Sequence, residues 1–276
     1  MLKDITLGQY YFADSILHRL DPRVKLFGTV LYIVSLFVFK GLIGFVLATA
    51  FLIAMIGLSK VPVKMMLKGI KAIWILILIT ALCNLLFTPG DDLVALGIIH
   101  ITHQGVFNAV FFSIRLIYLV LGTSVMTLTT TPNKLTDGLE KGLRCLRVIR
   151  VPVHEIAMMM SIALRFVPLL GEETDRIKKA QMARGADFEG GNIFKKAKSL
   201  IPLLVPLFVS AFHRATDLAL AMEARCYHGG EGRTKMKPLK YESRDYVGYV
   251  VVVIYLLVMI AIRVLENIGI LNFSIR

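Results

Sequence analysis

The chain has 276 residues, of which 56% are hydrophobic and only 18% are charged, and its mean hydropathy is +0.70. Soluble domains are nearer 45–50% apolar, so this composition excludes an ordinary soluble domain and indicates an integral membrane protein. The formal net charge is +13. The basic residues are not interleaved with aromatic residues, the pattern that favours nucleic-acid binding. Basic loops on the cytoplasmic side of a membrane protein explain the charge better.

Five long apolar stretches predict membrane-spanning helices, because each approaches the roughly 17–25 residues that a span needs. In chain order these stretches cover residues 24–39, 41–58, 72–88, 105–130 and 246–265. A tight turn around Lys40 and Gly41 is all that separates the first two, so we expect them to form a hairpin. The first 23 residues carry several charges and lack an apolar core, so we expect no signal peptide there.

The basic residues of the connecting segments predict the orientation. Four lysines, Lys60, Lys64, Lys68 and Lys71, lie between the second and third spans. Residues 88–104, after the third span, contain no Lys or Arg, whereas residues 132–244 are rich in both. The positive-inside rule then predicts a multi-pass protein of the cell membrane with a cytoplasmic N-terminus and an outside C-terminus.

Two shorter apolar runs, at residues 156–170 and 199–212, need a separate interpretation. Each is too short to span by itself, and they contain Arg165 in the first case and Pro202 and Pro206 in the second. We interpret both as parts of long helices that are partly buried at the cytoplasmic face of the membrane. The alternative, that both cross the membrane as a pair, would leave the orientation of the last span unchanged.

These patterns predict three domains. Residues 1–131 form a membrane domain with four spans, residues 132–244 form a cytoplasmic domain of three helices, and residues 245–276 form the final span with an outer tail. The first cytoplasmic helix begins at Thr131-Pro132 and stops before Pro152. The second begins at about Pro152 and ends at Gly185. The third begins at Asn192 and ends near Arg225. The last two would each be roughly 50 Å long, so we expect another molecule to contact their far ends.

Both long helices end in the same pattern, A-x-x-A-R, at residues 180–184 and 221–225. The matched helix face holds Ile177, Ala180 and Arg184 in one copy and Leu218, Ala221 and Arg225 in the other. Alanine keeps such an end narrow, and arginine offers a planar fork of donors to carboxylates or carbonyls in a partner's groove. A basic residue before a glycine also ends many ordinary helices, but two matched ends favour docking to a partner.

Four stretches of the chain together carry a family resemblance: SILHRLDPRVKL, TTTPNKLTDGLEKGL, RFVPLLGEETDRIKKAQMARGADF and PLFVSAFHRATDLALAMEARCYHGGEGRT. They resemble the transmembrane T component of energy-coupling factor (ECF) transporters. The resemblance covers nearly the whole chain. It implies an all-α integral membrane protein with about five transmembrane helices and three cytoplasmic coupling helices, two of them long. It also implies a non-catalytic subunit that joins two ABC-type ATPases to a membrane-embedded S component, which captures a vitamin or a metal ion.

The resemblance further implies that the two helix ends dock in grooves on the ATPases. The docking residues carried over are Ala183, Arg184 and Gly185 at the first end and Ala224, Arg225 and Cys226 at the second. Cys226 departs from the pattern, because the family usually has glycine there, and this makes a left-handed turn less expected at the second end. We expect no cofactor in this chain, and any ATP energy would come from a partner.

Several other residues could carry chemistry. His100 and His103 are spaced like a metal pair, but we expect a hairpin rather than a site, because further ligands are scarce. The three cysteines, Cys83, Cys145 and Cys226, are too far apart for a metal or disulfide signature. Arg115 lies within the fourth span, where a charge is a functional candidate. We interpret it as structural, bonded to carbonyls or polar groups of neighbouring helices.

Two other classes of function stay open. An intramembrane enzyme would need clustered carboxylates, histidines or a nucleophile. The candidate carboxylates are Glu172, Glu173 and Asp175, which we interpret as a solvated helix face paired with Arg176, Lys178 and Lys179. An independent secondary transporter would show repeats within the membrane, whereas the repeat here lies in the helices predicted to be cytoplasmic. The glycine-rich stretches EGGN and HGGEGR lack the context of a phosphate-binding loop.

Overall fold

The computed structural model describes residues 10–39, 41–89, 92–96, 99–143, 148, 150–186, 188, 193–229, 236 and 238–268. Within these ranges the chain is almost entirely helical, which confirms the predicted all-α class. The helices are α1 (Ile16–Arg19), α2 (Pro22–Val38), α3 (Leu42–Ser59), α4 (Val63–Phe87), α5 (His103–Thr129), α6 (Pro132–Gly142), α7 (Val153–Ala183), α8 (Ile193–Glu223) and α9 (Ser243–Asn267).

One short antiparallel hairpin connects α4 to α5. Its strands are β1 (Asp92–Leu96) and β2 (Ile99–Thr102), and Leu96 pairs with Ile99. The hairpin that was predicted for the segment containing His100 is therefore confirmed. Thr102 then caps α5, because its hydroxyl accepts a hydrogen bond from the Gly105 amide at 3.0 Å.

Six helices within the described ranges are long and apolar enough to cross a membrane, judged by length and composition. They are α3, α4, α5, α7, α9 and the part of α8 from Lys198 to Glu223. The 17 residues of α2 match the first predicted span. A multi-pass membrane protein is therefore confirmed.

The prediction that the two short apolar runs are parts of long helices is confirmed. Each run lies inside a continuous 31-residue helix, α7 or α8, and is too short only when it is considered alone. Arg165, Pro202 and Pro206 do not interrupt these helices, although each proline removes one backbone hydrogen bond. The placement of α7 and α8 outside the bilayer, and with it the count of five spans, stays a prediction.

The chain divides into two compact units. The larger unit comprises residues 10–139 with 239–268, and the two-helix unit comprises Glu140–Pro238. The boundary falls inside α6, which begins as predicted with the Thr131 hydroxyl accepting from the Lys134 amide at 3.5 Å. This helix ends at Gly142, earlier than the predicted stop before Pro152. The predicted N-cap Asn192 lies outside the described residues.

The core of the larger unit joins α2, α3 and α9. Tyr32, Leu36 and Phe39 are buried there, and they pack in one cluster that is completed by Ala48, Leu52, Tyr255 and Met259. Gly122 of α5 lets the Tyr32 ring approach, because a Cβ at that glycine would lie 2.1 Å from a Tyr32 ring carbon. The packing of α5 against α2 therefore depends on a residue without a side chain.

The starts of α2 and α9 are joined by one buried carboxylate. Asp245 accepts hydrogen bonds from the backbone amides of Asp21 and Glu242, each at 2.8 Å, and only 2% of its surface is exposed. Beside it the Arg23 guanidinium lies 4.7 Å from the centre of the Tyr241 ring. These contacts use the amides that a helix start leaves unpaired, so they fix how the two helices begin.

Arg115 of α5 forms the carbonyl contact that the sequence analysis predicted for it. The residue is buried and donates from Nη2 to the Phe39 carbonyl at 3.0 Å, which satisfies the carbonyl where α2 ends. Its guanidinium carbon lies 4.8 Å from the centre of the Phe111 ring, a distance suited to a cation–π interaction. An intramembrane charge is thus held by a helix end and aromatic rings.

Candidate functional site: two arginine-capped helix ends

The end of α7 forms a regular C-terminal cap around Arg184. Arg184 is the capping residue, with φ −86° and ψ 7°, and Gly185 follows in the left-handed region with φ +87°. The Gly185 amide donates to the Met182 carbonyl and the Ala186 amide to the Gln181 carbonyl, each at 3.0 Å. These two bonds define a Schellman motif, as Gly185 led us to expect.

The end of α8 forms the same motif around Arg225, although it has no glycine. Cys226 adopts the left-handed region with φ +57°. Its amide donates to the Glu223 carbonyl at 2.8 Å, and the Tyr227 amide donates to the Met222 carbonyl at 3.0 Å. The reduced expectation of a left-handed turn at Cys226 was therefore wrong. The two paired amides offset the roughly 1–2 kcal/mol that a side chain costs in this conformation.

The predicted docking residues are exposed at both ends. Ala183, Arg184 and Gly185 are exposed at the first, and Ala224, Arg225 and Cys226 at the second. On the matched faces Ala180 and Ala221 are also exposed, whereas Ile177 and Leu218 are half-buried. Each helix therefore ends in a narrow, solvent-facing tip. We refer to residues 180–185 and 221–226 as the first and second tips.

Both tip arginines have unused hydrogen-bond donors. Within the described residues, neither the Arg184 nor the Arg225 guanidinium forms a hydrogen bond or an ion pair. By contrast, the Arg214 side chain is paired with Glu173. An arginine carries five N–H donors in a planar fork, and the carbonyl ends of a helix favour a positive charge nearby. The tips can therefore offer a complete fork to carboxylates or carbonyls of another molecule.

Glu173 differs from the interpretation made from the sequence. Its carboxylate accepts hydrogen bonds from Ser210 Oγ at 3.1 Å and from Arg214 Nη2, both on α8. The prediction paired it with basic neighbours on its own helix, so that pairing was wrong for Glu173. Sequence reasoning missed this contact, although Glu173 and Arg214 are separated by the same 41 residues as the two tip arginines. This repeat spacing was the available signal.

The remaining candidates form no second site in the described part of the chain. No group of three or more His, Cys, Asp and Glu side chains suited to a metal ion occurs there. His103 is exposed at the start of α5, and Cys83 and Cys226 are exposed free thiols. The EGGN stretch and most of HGGEGR lie outside the described residues, as does Cys145.

The fold defines an all-α, multi-pass membrane protein with two arginine-capped helix ends. The family model described as cobalt transport protein matches residues 13–236. The chain is 49% identical over 270 residues to the energy-coupling factor transporter transmembrane protein EcfT of Clostridium kluyveri, covering 97% of this chain and 98% of that protein. The chain belongs to this family, the transmembrane components of ECF transporters.

Two further relatives carry the same name. The protein of Heliobacterium modesticaldum is 53% identical over 246 residues, which cover 89% of this chain and 92% of that protein. The protein of Bacillus subtilis is 45% identical over 246 residues, which cover 89% of this chain and 93% of that protein. The family resemblance stated from the four sequence stretches is therefore confirmed.

Proposed function

We propose that this chain is the coupling subunit of an ATP-driven importer. Its two tips dock in grooves on two ABC-type ATPases, and its membrane helices hold an S component that binds a vitamin or another micronutrient. The chain itself is non-catalytic and transmits movement from the ATPases to the S component. The N-terminus lies in the cytoplasm and the C-terminus outside, so the basic segment 132–244 faces the ATPases.

The matched geometry of the tips is the observation that carries this proposal. An isolated arginine before a glycine would be an ordinary helix end. Here two helices of equal length end in the same hydrogen-bonded cap, with an exposed arginine at the capping position of each. The second cap forms although Cys226 must adopt a left-handed backbone. Two equal tips suit two similar grooves, as a pair of related ATPase subunits would present.

The proposed mechanism follows from the length of α7 and α8. When the ATPases bind ATP and approach each other, their grooves move the Arg184 and Arg225 tips. Each 31-residue helix is about 46 Å long and acts as a lever. Movement at the tip displaces apolar surface at the other end, which includes exposed side chains such as Leu200 and Ile201 of α8. A bound S component would be reoriented in consequence.

Co-purification of the ATPases tests this proposal. The chain is expressed with its two ATPases, solubilised in detergent and captured through a tag on its own C-terminus. The double variant Arg184→Ala/Arg225→Ala should lose both ATPases, because each groove loses its charged fork. The variant Lys179→Ala is the control, since Lys179 is exposed on α7 and points about 140° away from Arg184 around the helix.

The single variants sharpen the test. Each should weaken the complex less than the double variant, because one docked tip keeps the partners at high effective concentration. Arg184→Lys with Arg225→Lys keeps the charge but removes the planar fork, and it should bind less well than the wild type. An unchanged complex in the double alanine variant would refute docking through the tips.

A further inference from the structure

Three side chains connect α7 to α8 between the prolines and the tips. Glu173 accepts from Ser210 Oγ through one carboxylate oxygen, at 3.1 Å, and from Arg214 Nη2 through the other. Arg214 also donates from Nε to Ser210 Oγ, at 3.5 Å. The three groups form a closed ring of hydrogen bonds. We call this network the interhelical tie.

The tie joins equivalent positions of the two helices. Glu173 and Arg214 are 41 residues apart, which is also the separation of Arg184 and Arg225. Each partner therefore precedes its own tip arginine by 11 residues, or about 16 Å of helix. The ion pair lies at the same distance along each helix from its tip, so it can fix the separation of the two tips.

Prolines lie directly before the tie on both helices. Pro168 is five residues before Glu173, and Pro206 is four residues before Ser210. A proline inside a helix removes one backbone hydrogen bond and permits bending at that turn. From the tie to the tips, residues 173–183 and 210–223, neither helix contains a proline. The stiff segments and the points of bending are thus separated along both helices.

We propose that the interhelical tie holds the two tip segments together as one rigid fork, which bends relative to the rest of α7 and α8 at Pro168 and Pro206. This inference rests on the proposed docking of the tips. In this proposal Glu173 and Arg214 are positioning residues, because they act through Arg184 and Arg225. Their side chains are 26% and 36% exposed, and such pairs contribute more to geometry than to stability.

The distance between the tip segments tests the inference. Spin labels are placed at Lys179→Cys and Leu220→Cys, two exposed positions that are again 41 residues apart. The background carries Cys83→Ser, Cys145→Ser and Cys226→Gly, and it is used once co-purification of the ATPases has been verified. Pulsed electron resonance on the complex in lipid nanodiscs should give a narrow distance distribution.

Removing the tie should widen that distribution. Glu173→Gln weakens the ion pair and should at least double the width, while the charge exchange Glu173→Arg/Arg214→Glu should restore most of the narrow distribution. Glu172→Gln is the control, because Glu172 is the adjacent exposed carboxylate. An unchanged width in Glu173→Gln, or no recovery in the charge exchange, would overturn the inference.

The failure of the tie and the failure of docking give different results. Arg184→Ala/Arg225→Ala should keep the narrow distance distribution and lose the ATPases, because it removes docking and leaves the fork intact. Retention of the ATPases in that variant would reject docking through the tips. The response of the spin-label distance to Glu173→Gln would still report on the tie.

Discussion

Gly185 and Cys226 occupy the same position in two separate helix ends, and both have a left-handed backbone, with φ of +87° and +57°. A glycine adopts this conformation freely, whereas a cysteine is strained in it. Both residues nevertheless donate to the carbonyl three positions earlier, at 3.0 and 2.8 Å. The cap, rather than the glycine, is the common feature of the two tips.

This relationship predicts opposite effects of exchanging the two residue types. Gly185→Ala should destabilise the first tip by about 1 kcal/mol, and Cys226→Gly should stabilise the second by up to about 1 kcal/mol. Hydrogen exchange of the Ala186 and Tyr227 amides measures both effects, because these amides close the two caps. Faster exchange at Tyr227 in Cys226→Gly would contradict the prediction.

The close contact of Gly122 with Tyr32 predicts a strong effect inside the larger unit. Gly122→Ala would place a methyl group about 2 Å from the Tyr32 ring, so α5 must move away from α2. Overpacking of this kind costs about 1–3 kcal/mol, which thermal unfolding in detergent would detect. Gly57→Ala on α3 is the control, because nothing lies within 4 Å of its added Cβ. That variant should be neutral or more stable, and equal losses in both would contradict the account.

The environment of His18, which lies before the first span, predicts that the free energy of unfolding depends on pH. Its Nε2 lies 2.9 Å from the Tyr11 carbonyl and its Nδ1 lies 2.7 Å from Ser15 Oγ, which suits a neutral ring that donates through Nε2. Burial lowers the pKa of His18 below its ordinary value of 6.5, and the nearby Lys25 charge lowers it further. The unfolded chain then binds more protons than the folded one near that pH.

The contribution of His18 to the free energy of unfolding should therefore be fully present above pH 6.5 and should decrease as the pH falls below that value. In His18→Gln the same part of the pH profile should be flatter, because the glutamine amide can donate to the Tyr11 carbonyl without titrating. Urea unfolding in detergent between pH 5 and pH 8 measures the difference. His213→Gln, at an exposed histidine, should keep the wild-type profile. A wild-type slope in His18→Gln would refute this role.

Hydropathy predicted the existence of the membrane helices better than their lengths. The third span was predicted to begin at residue 72, but α4 begins at Val63. Lys64, Lys68 and Lys71 fall in its first turns. These lysines are good helix formers, but a prediction based on hydropathy leaves them out of the span because they are charged. The helix is longer than its hydrophobic segment, and the positive charges mark where it leaves the apolar stretch.

The tips were predicted from the sequence, whereas the interhelical tie was missed. A repeat of A-x-x-A-R before a glycine or its equivalent specifies a local structure, because the cap forms within six residues of one helix. The partner of Glu173 depends on how α7 packs against α8, and its own helix offers closer basic residues such as Arg176. Local spacing favoured those neighbours, whereas the 41-residue repeat was the one sequence feature that pointed to Arg214.

Site-specific photo-crosslinking tests the central claim most directly. A photoreactive amino acid is placed at Ala180 or Ala221, on the matched faces of the tips, or at the exposed control positions Lys179 or Leu220. Docking of the tips predicts efficient crosslinks to the ATPases from positions 180 and 221 and few from 179 and 220. Equal yields from all four positions, or no ATPase adduct from either tip face, would contradict the account.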